Sequence, residues 1–234
     1  MKTANDIIDF FKDLTFQEEG HLYHVNGVPI KSSVSDKIKA YYKPFNKFEK
    51  SLGTAYKNGI SQTEVLKDWD MKRDVSIAKG KKAHLFGELY PFNRQLRPQS
   101  PYDIATMKFW NDLPDYVIPV IAEAKMYHKE ELYAGTADGI LYNTNTGKYI
   151  IIDYKTNLDL FKNFRGQRML APFENLLDCP HSKYQLQLSY YQILLEQMED
   201  IEVSHRKLVW LRPSGEYELF ATENYTNLLR THVA

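Results

Sequence analysis

The stretch "IIIDYKTN", Ile150 to Asn157, sets an acid and a base two positions apart at the end of an apolar run. Side chains at i and i+2 of a strand share a face, so Asp153 and Lys155 point the same way. A second acid, Asp138, stands in "GTADG", and the turn residues Asn143 to Gly147 make its run a neighbouring strand. Two carboxylates a few ångströms apart repel, and one tends to hold a proton unless a cation intervenes. Hard Mg²⁺ takes oxygen ligands and removes that conflict. Lys155 would then orient a water and stabilise negative charge growing on a phosphate. The triplet by itself also fits a strand end with a local ion pair at the water boundary.

Two further pairs share a face by helical spacing. His84 and Glu88 are i and i+4, and Gly80 lies four residues before His84. A helical His is commonly a polar surface residue, but a neutral imidazole also ligates divalent ions, Mn²⁺ especially. Gln187 and Tyr191 repeat the spacing inside an apolar stretch, where an amide without partners is expensive.

These residues need elements to hold them. "MKTANDIIDFFKDL" reads as an amphipathic helix and not as a signal peptide. "GHLYHVNGVPIKSS" is a hairpin about Asn26-Gly27, and Ser33 or Ser35 caps a helix towards Tyr42. A helix runs from Ser61 to about Tyr90, where Pro91 stops it, and another follows a cap at Ser100. "YVIPVIAEAKMYH", "LYAGTADGILYN" and "KYIIIDYK" are three strands of an antiparallel meander. A mixed loop, 157–182, precedes a buried helix, "KYQLQLSYYQILLEQME", then a hairpin about Pro213-Ser214-Gly215 and a helix from near Glu223. Helices, a sheet, a packed helix and more sheet give an α/β (α+β mixed) fold in one domain over 1–234.

Bulk properties narrow the chemistry. Net charge is zero, so nucleic acid would be held by a local patch. The single Cys179 excludes an internal disulfide, a four-cysteine zinc site and an iron–sulfur cluster within the chain, and it fits a reducing cytoplasm. No apolar run is long enough to cross a membrane.

The succession Gly80-x-x-x-His84, Gly135-Thr-Ala-Asp138, Asp153-Tyr-Lys155-Thr156 and Gln187-x-x-x-Tyr191 resembles the PD-(D/E)XK nuclease superfamily. The match is nearest to its RecB-like exonuclease branch. "YHVNGVPIKSSVS" is similar to the leader of phage-type stand-alone members and their mitochondrial genome-maintenance relatives. The resemblance covers about residues 16–220. It implies a restriction-endonuclease-like αβββαβ core over about 75–220, with an N-terminal hairpin and added helices in 1–74. It also implies hydrolysis of DNA phosphodiester bonds with Mg²⁺ or Mn²⁺, in phage or mobile-element recombination, replication or repair, in a bacterial or phage-infected cytoplasm. His84, Asp138, Asp153 and the Tyr154 backbone carbonyl would be metal ligands. Lys155 would assist the attacking water, and Gln187 and Tyr191 would support the site or touch phosphates. Glu123 lies on the preceding strand, where many members carry Glu, and is read as structural more often than catalytic. Asp153 stands where many members carry Glu, and Ala137 replaces the proline of the superfamily's name. No helicase motif is present, so a recombinase, single-strand-binding or helicase partner would open the DNA, which is expected single-stranded or with single-stranded ends.

Contacts to that DNA are expected from Thr156 and from Phe161, Phe164, Arg165 and Arg168, where aromatics that stack on bases interleave with bases that track phosphates. Lysines before His84 are equally explained as solubilising helix faces. Two alternatives stand beside the exonuclease: a structure- or sequence-specific endonuclease of the same fold, and a catalytically silent nucleic-acid-binding module of a recombination complex.

Overall fold

Polar caps open the first five helices. The computed structural model describes every residue except His21, Lys31, Val233 and Ala234. In it Thr3 and Ser33 each accept a backbone N–H three residues on, whose own acid bonds back, opening α1 (Ala4–Phe10) and α2 (Val34–Lys39). Asn46 caps α3 (Lys47–Asn58), a helix the sequence reading did not assign. Its apolar residues Phe48, Leu52 and Tyr56 are exposed, so no buried stripe announces it. Ser61 with Glu64 caps α4 (Gln62–Leu89), and Ser100, followed by Pro101, caps α5 (Pro101–Asp112).

The expected N-terminal hairpin forms. Asn26 and Gly27 take φ of 51° and 76°, the left-handed pair that a two-residue turn needs. They join β2 (Leu22–Val25) to β3 (Val28–Pro29), and β1 (Leu14–Gln17) adds a third strand. His21 and Lys31, at the two ends of that stretch, lie outside the described residues.

A mixed sheet forms the centre. The meander comprises β5 (Val117–Tyr127), β6 (Tyr133–Asn143) and β7 (Lys148–Lys155). The chain then crosses through α6 (Pro180–Leu195) to β8 (Val203–Leu211), which pairs parallel to β7, and returns along β9 (Tyr217–Ala221). The last helix, α7, is Thr226–Thr231, starting a few residues later than expected. Neighbouring strand residues serve opposite faces. Ile151 and Leu208 join one apolar cluster with α1, α2 and α6, while Ile152 and Val209 join another with α4 and α5. Layers of helix thus cover both faces of a mixed α/β architecture. Among the described residues no helix is long and apolar enough to cross a membrane.

The sheet is split at one point. β5 follows one edge of β6 from Ala134 to Asn143. On the other edge β7 pairs only with Gly139–Asn143, and the short β4 (Ser32–Ser33) pairs in parallel with Tyr133 and Ala134. Residues 135–138 therefore border a fork between β6 and β7. α4 reaches this fork because it packs closely on the sheet. A Cβ on Gly87 would fall on the Tyr154 ring, 2.9 Å from its Cζ. That ring cannot retreat: it is buried, its hydroxyl accepts from Trp110 Nε1 at 2.7 Å, and Phe109 lies edge-on. Gly87→Ala is expected to lower stability by ~1–3 kcal/mol through overpacking, read as a reduced unfolding midpoint in urea.

Candidate metal centre

The pairing of β6 with β7 runs in register up to Gly139 and Ile152, so the next pair would be Asp138 and Asp153. The ladder ends there, and the two carboxylates stand opposite each other at the fork. Asp138 fills the gap left by the lost strand bond: its Oδ2 accepts the Tyr154 N–H at 2.6 Å. A strand residue presents its N–H and C=O on one edge, which turns the Tyr154 carbonyl to the same side. Across the fork, Asp138 Oδ1 lies 3.2 Å from His84 Nδ1 on α4. Asp153, 1% exposed, pairs with Lys155, its neighbour on the strand face. The ammonium of Lys155 also sits 4.3 Å above the Tyr184 ring of α6. The acid-x-Lys triplet thus forms a local ion pair, and both of its residues line a cavity.

That cavity measures about 770 Å³, within the range of substrate sites. His84, Glu88, Asp138, Asp153, Lys155, Gln187 and Tyr191 all line it. Gln187 finds the partner its amide required in Tyr191, donating to the hydroxyl at 2.8 Å. The N-terminal hairpin, through Phe16 and Tyr23, and the start of α2 complete the wall. Tyr23 and Thr136 share a hydrogen bond of 2.9 Å that ties the hairpin to the rim of the fork.

Crowded charge governs ionisation here. The Asp138 charge raises His84 to about 9, against the effect of burial. Burial acts upward on Asp138, but His84, Lys155 and the Tyr154 N–H together hold it below its ordinary value. Burial pushes Asp153 up to about 6; Lys155 opposes this and Asp138 reinforces it. Burial acts downward on Lys155, and the Asp153 and Asp138 charges outweigh it, keeping the ammonium charged. Burial, helped by Asp138, pushes Glu123 up to about 7. Acids crowded into a partly dry space, with the Lys155 ammonium among them, make a donor set of oxygens and, once His84 gives up its proton to the ion, one imidazole. That set fits a divalent cation.

Glu123, which the sequence reading rated structural rather than catalytic, lies with the candidate ligands. Its carboxylate, His84 and Asp138 form a group whose ligand atoms all lie within 4.8 Å of one another. The signal was present in the acid of "IAEAK", the lone carboxylate of an otherwise mostly apolar strand run. Its register against β6 was not, because the connection between them is no simple turn: Leu132 there has φ 54°.

The expected DNA contacts stand apart from this cavity, and none lines it. Thr156 follows β7, and its carbonyl accepts from Lys79 at 3.2 Å. Phe161 packs on His181 and Phe220. Phe164 is 61% exposed, with Arg165 on its ring at 5.1 Å and Lys50 of α3 at 5.9 Å. Arg168 is engaged within its own loop, donating to the Asn175 carbonyl at 2.7 Å.

Comparison of the chain with protein-family models and with curated proteins finds no match.

Proposed function

We propose that this chain is a divalent-metal-dependent DNA exonuclease with a restriction-endonuclease-like core, of the RecB-like PD-(D/E)XK type. The observation that carries the reading is the fork: Asp138 and Asp153 oppose each other where β6 and β7 part, with His84 and Lys155 in the same cavity. The order α4, β5, β6, β7, α6, β8 supports it, with α5 as an insertion into an αβββαβ core.

His84, Asp138 and Asp153, with the Tyr154 carbonyl, would hold Mg²⁺ or Mn²⁺, which when bound supplies Lewis acidity towards a phosphate oxygen and lowers the pKa of water. The chain's own groups do the rest. Lys155 keeps a charged ammonium in the cavity through its pairing with Asp153. There it orients the attacking water and meets the charge that develops on the phosphate only in the transition state. The buried β7 strand holds this pair rigidly, which preserves the geometry that such stabilisation requires. Gln187 and Tyr191 fix each other and offer polar edges to the substrate backbone. Phe164, Arg165 and Lys50 form an exposed aromatic and basic patch that suits a single strand leading to the site.

Cleavage of end-labelled DNA with Mg²⁺ or Mn²⁺ tests this. Linear single strands should be degraded, and covalently closed circles of the same sequence should resist. Circles cut as fast as linear strands would replace the exonuclease with an endonuclease. No cleavage of either with either ion would remove the enzymatic reading.

A further inference from the structure

Glu123 has a backbone that its side chain does not favour. It lies inside β5 with φ 49°, a left-handed conformation uncommon for a residue other than Gly, Asn or Asp. The pairs on either side of it, Ala122 with Gly139 and Ala124 with Ala137, keep regular register. The distortion is therefore confined to one residue, the one facing Asp138 across the ladder. It delivers the carboxylate to the cavity, within 4.8 Å of the ligand atoms of His84 and Asp138. No hydrogen bond or ion pair from a described residue holds that carboxylate there. In the same cavity Asp153, 1% exposed, pairs its Oδ2 with the Lys155 ammonium.

We propose that Glu123 is a further direct ligand of the divalent cation, joining His84 and Asp138 on the β5 side of the fork. Two ligand atoms each about 2.1 Å from one ion stand at most about 4.2 Å apart, so small side-chain movements close this group around it. Asp138 is then shared, facing Glu123 and His84 on one side and Asp153 on the other. The inference rests on the metal-dependent reading above and adds Glu123 to its ligands.

Calorimetric Mn²⁺ titration and metal-free thermal unfolding of the full chain test it, with Glu123→Gln and Glu123→Gly. Glu123→Gln keeps size and loses the ligand charge; its Mn²⁺ affinity should fall at least about ten-fold, with folding verified by circular dichroism. Glu123→Gly should lose Mn²⁺ affinity similarly yet unfold a few degrees higher without metal, because glycine accepts φ 49° freely and a crowding acid has gone. Unchanged Mn²⁺ affinity in either folded variant would overturn the assignment. So would a Glu123→Gly protein that is less stable and binds Mn²⁺ as before, since Glu123 would then be structural. A wild-type chain that binds Mn²⁺ through Glu123 but cuts no DNA would instead remove the nuclease reading and leave this one standing.

Discussion

Asp138→Asn should fold normally and cut no DNA. Both contacts of Asp138 can survive the change: the amide oxygen accepts the Tyr154 N–H, and the amide nitrogen can donate to a neutral His84. The substituted side chain also keeps its volume at a position that is 8% exposed. What disappears is one negative charge at the point where every candidate ligand meets. Metal affinity should therefore drop by at least ~10–100-fold, the loss that even an outer partner of a ligand brings. Cleavage should fall further, because the same carboxylate organises both His84 and the end of β7. Manganese titration, circular dichroism and single-turnover cleavage on one preparation separate these quantities. A folded Asp138→Asn protein that cleaves at the wild-type rate would dismiss the whole site.

Lys155→Ala should separate chemistry from binding. In the proposed mechanism Lys155 is not a ligand; its ammonium would act on water and on charge that appears in the transition state. Losing one such preorganised group slows reaction by ~10²–10³, so cleavage should drop by that factor while Mn²⁺ and DNA still bind. Manganese affinity should hold or rise slightly, since a neighbouring positive charge has gone. The structure adds a condition on folding. Asp153 is 1% exposed and has Lys155 as its only ion-pair partner among the described residues. Truncation leaves a buried acid that can remain only by taking a proton or a cation. Added Mn²⁺ should therefore raise the unfolding temperature of Lys155→Ala at least as much as that of the wild type. If the variant loses metal and fold together, Lys155 is no more than the counterion of Asp153.

Much of this was legible in the sequence, because it is set by neighbours along the chain. Period-two runs gave β5, β6 and β7, and the short turn at Asn143 to Gly147 paired β6 with β7 in the register that brings Asp138 opposite Asp153. Ser100, and Ser33 as one of two candidates with Ser35, announced helix starts as caps, since a side-chain oxygen satisfies a local backbone N–H whatever the tertiary structure; the helix from Ser61 was read from its apolar pattern. The common face of Asp153 and Lys155 follows from strand geometry alone, and the pairing of Gln187 with Tyr191 from the helical turn.

Tertiary structure decided the rest. α3 buries almost nothing apolar, so it left no periodic stripe to read. β4 is two residues long and exists only because β6 offers it an edge where β7 has departed. That departure, and with it the cavity, depends on competition among β4, β5 and β7 for β6, and no local propensity encodes such a competition. The hairpin closes over the site through Tyr23 and Thr136, which are 113 positions apart. Glu123 enters the site through a left-handed backbone that glutamate does not favour by itself, so the ladder on both sides had to form before the conformation could be held.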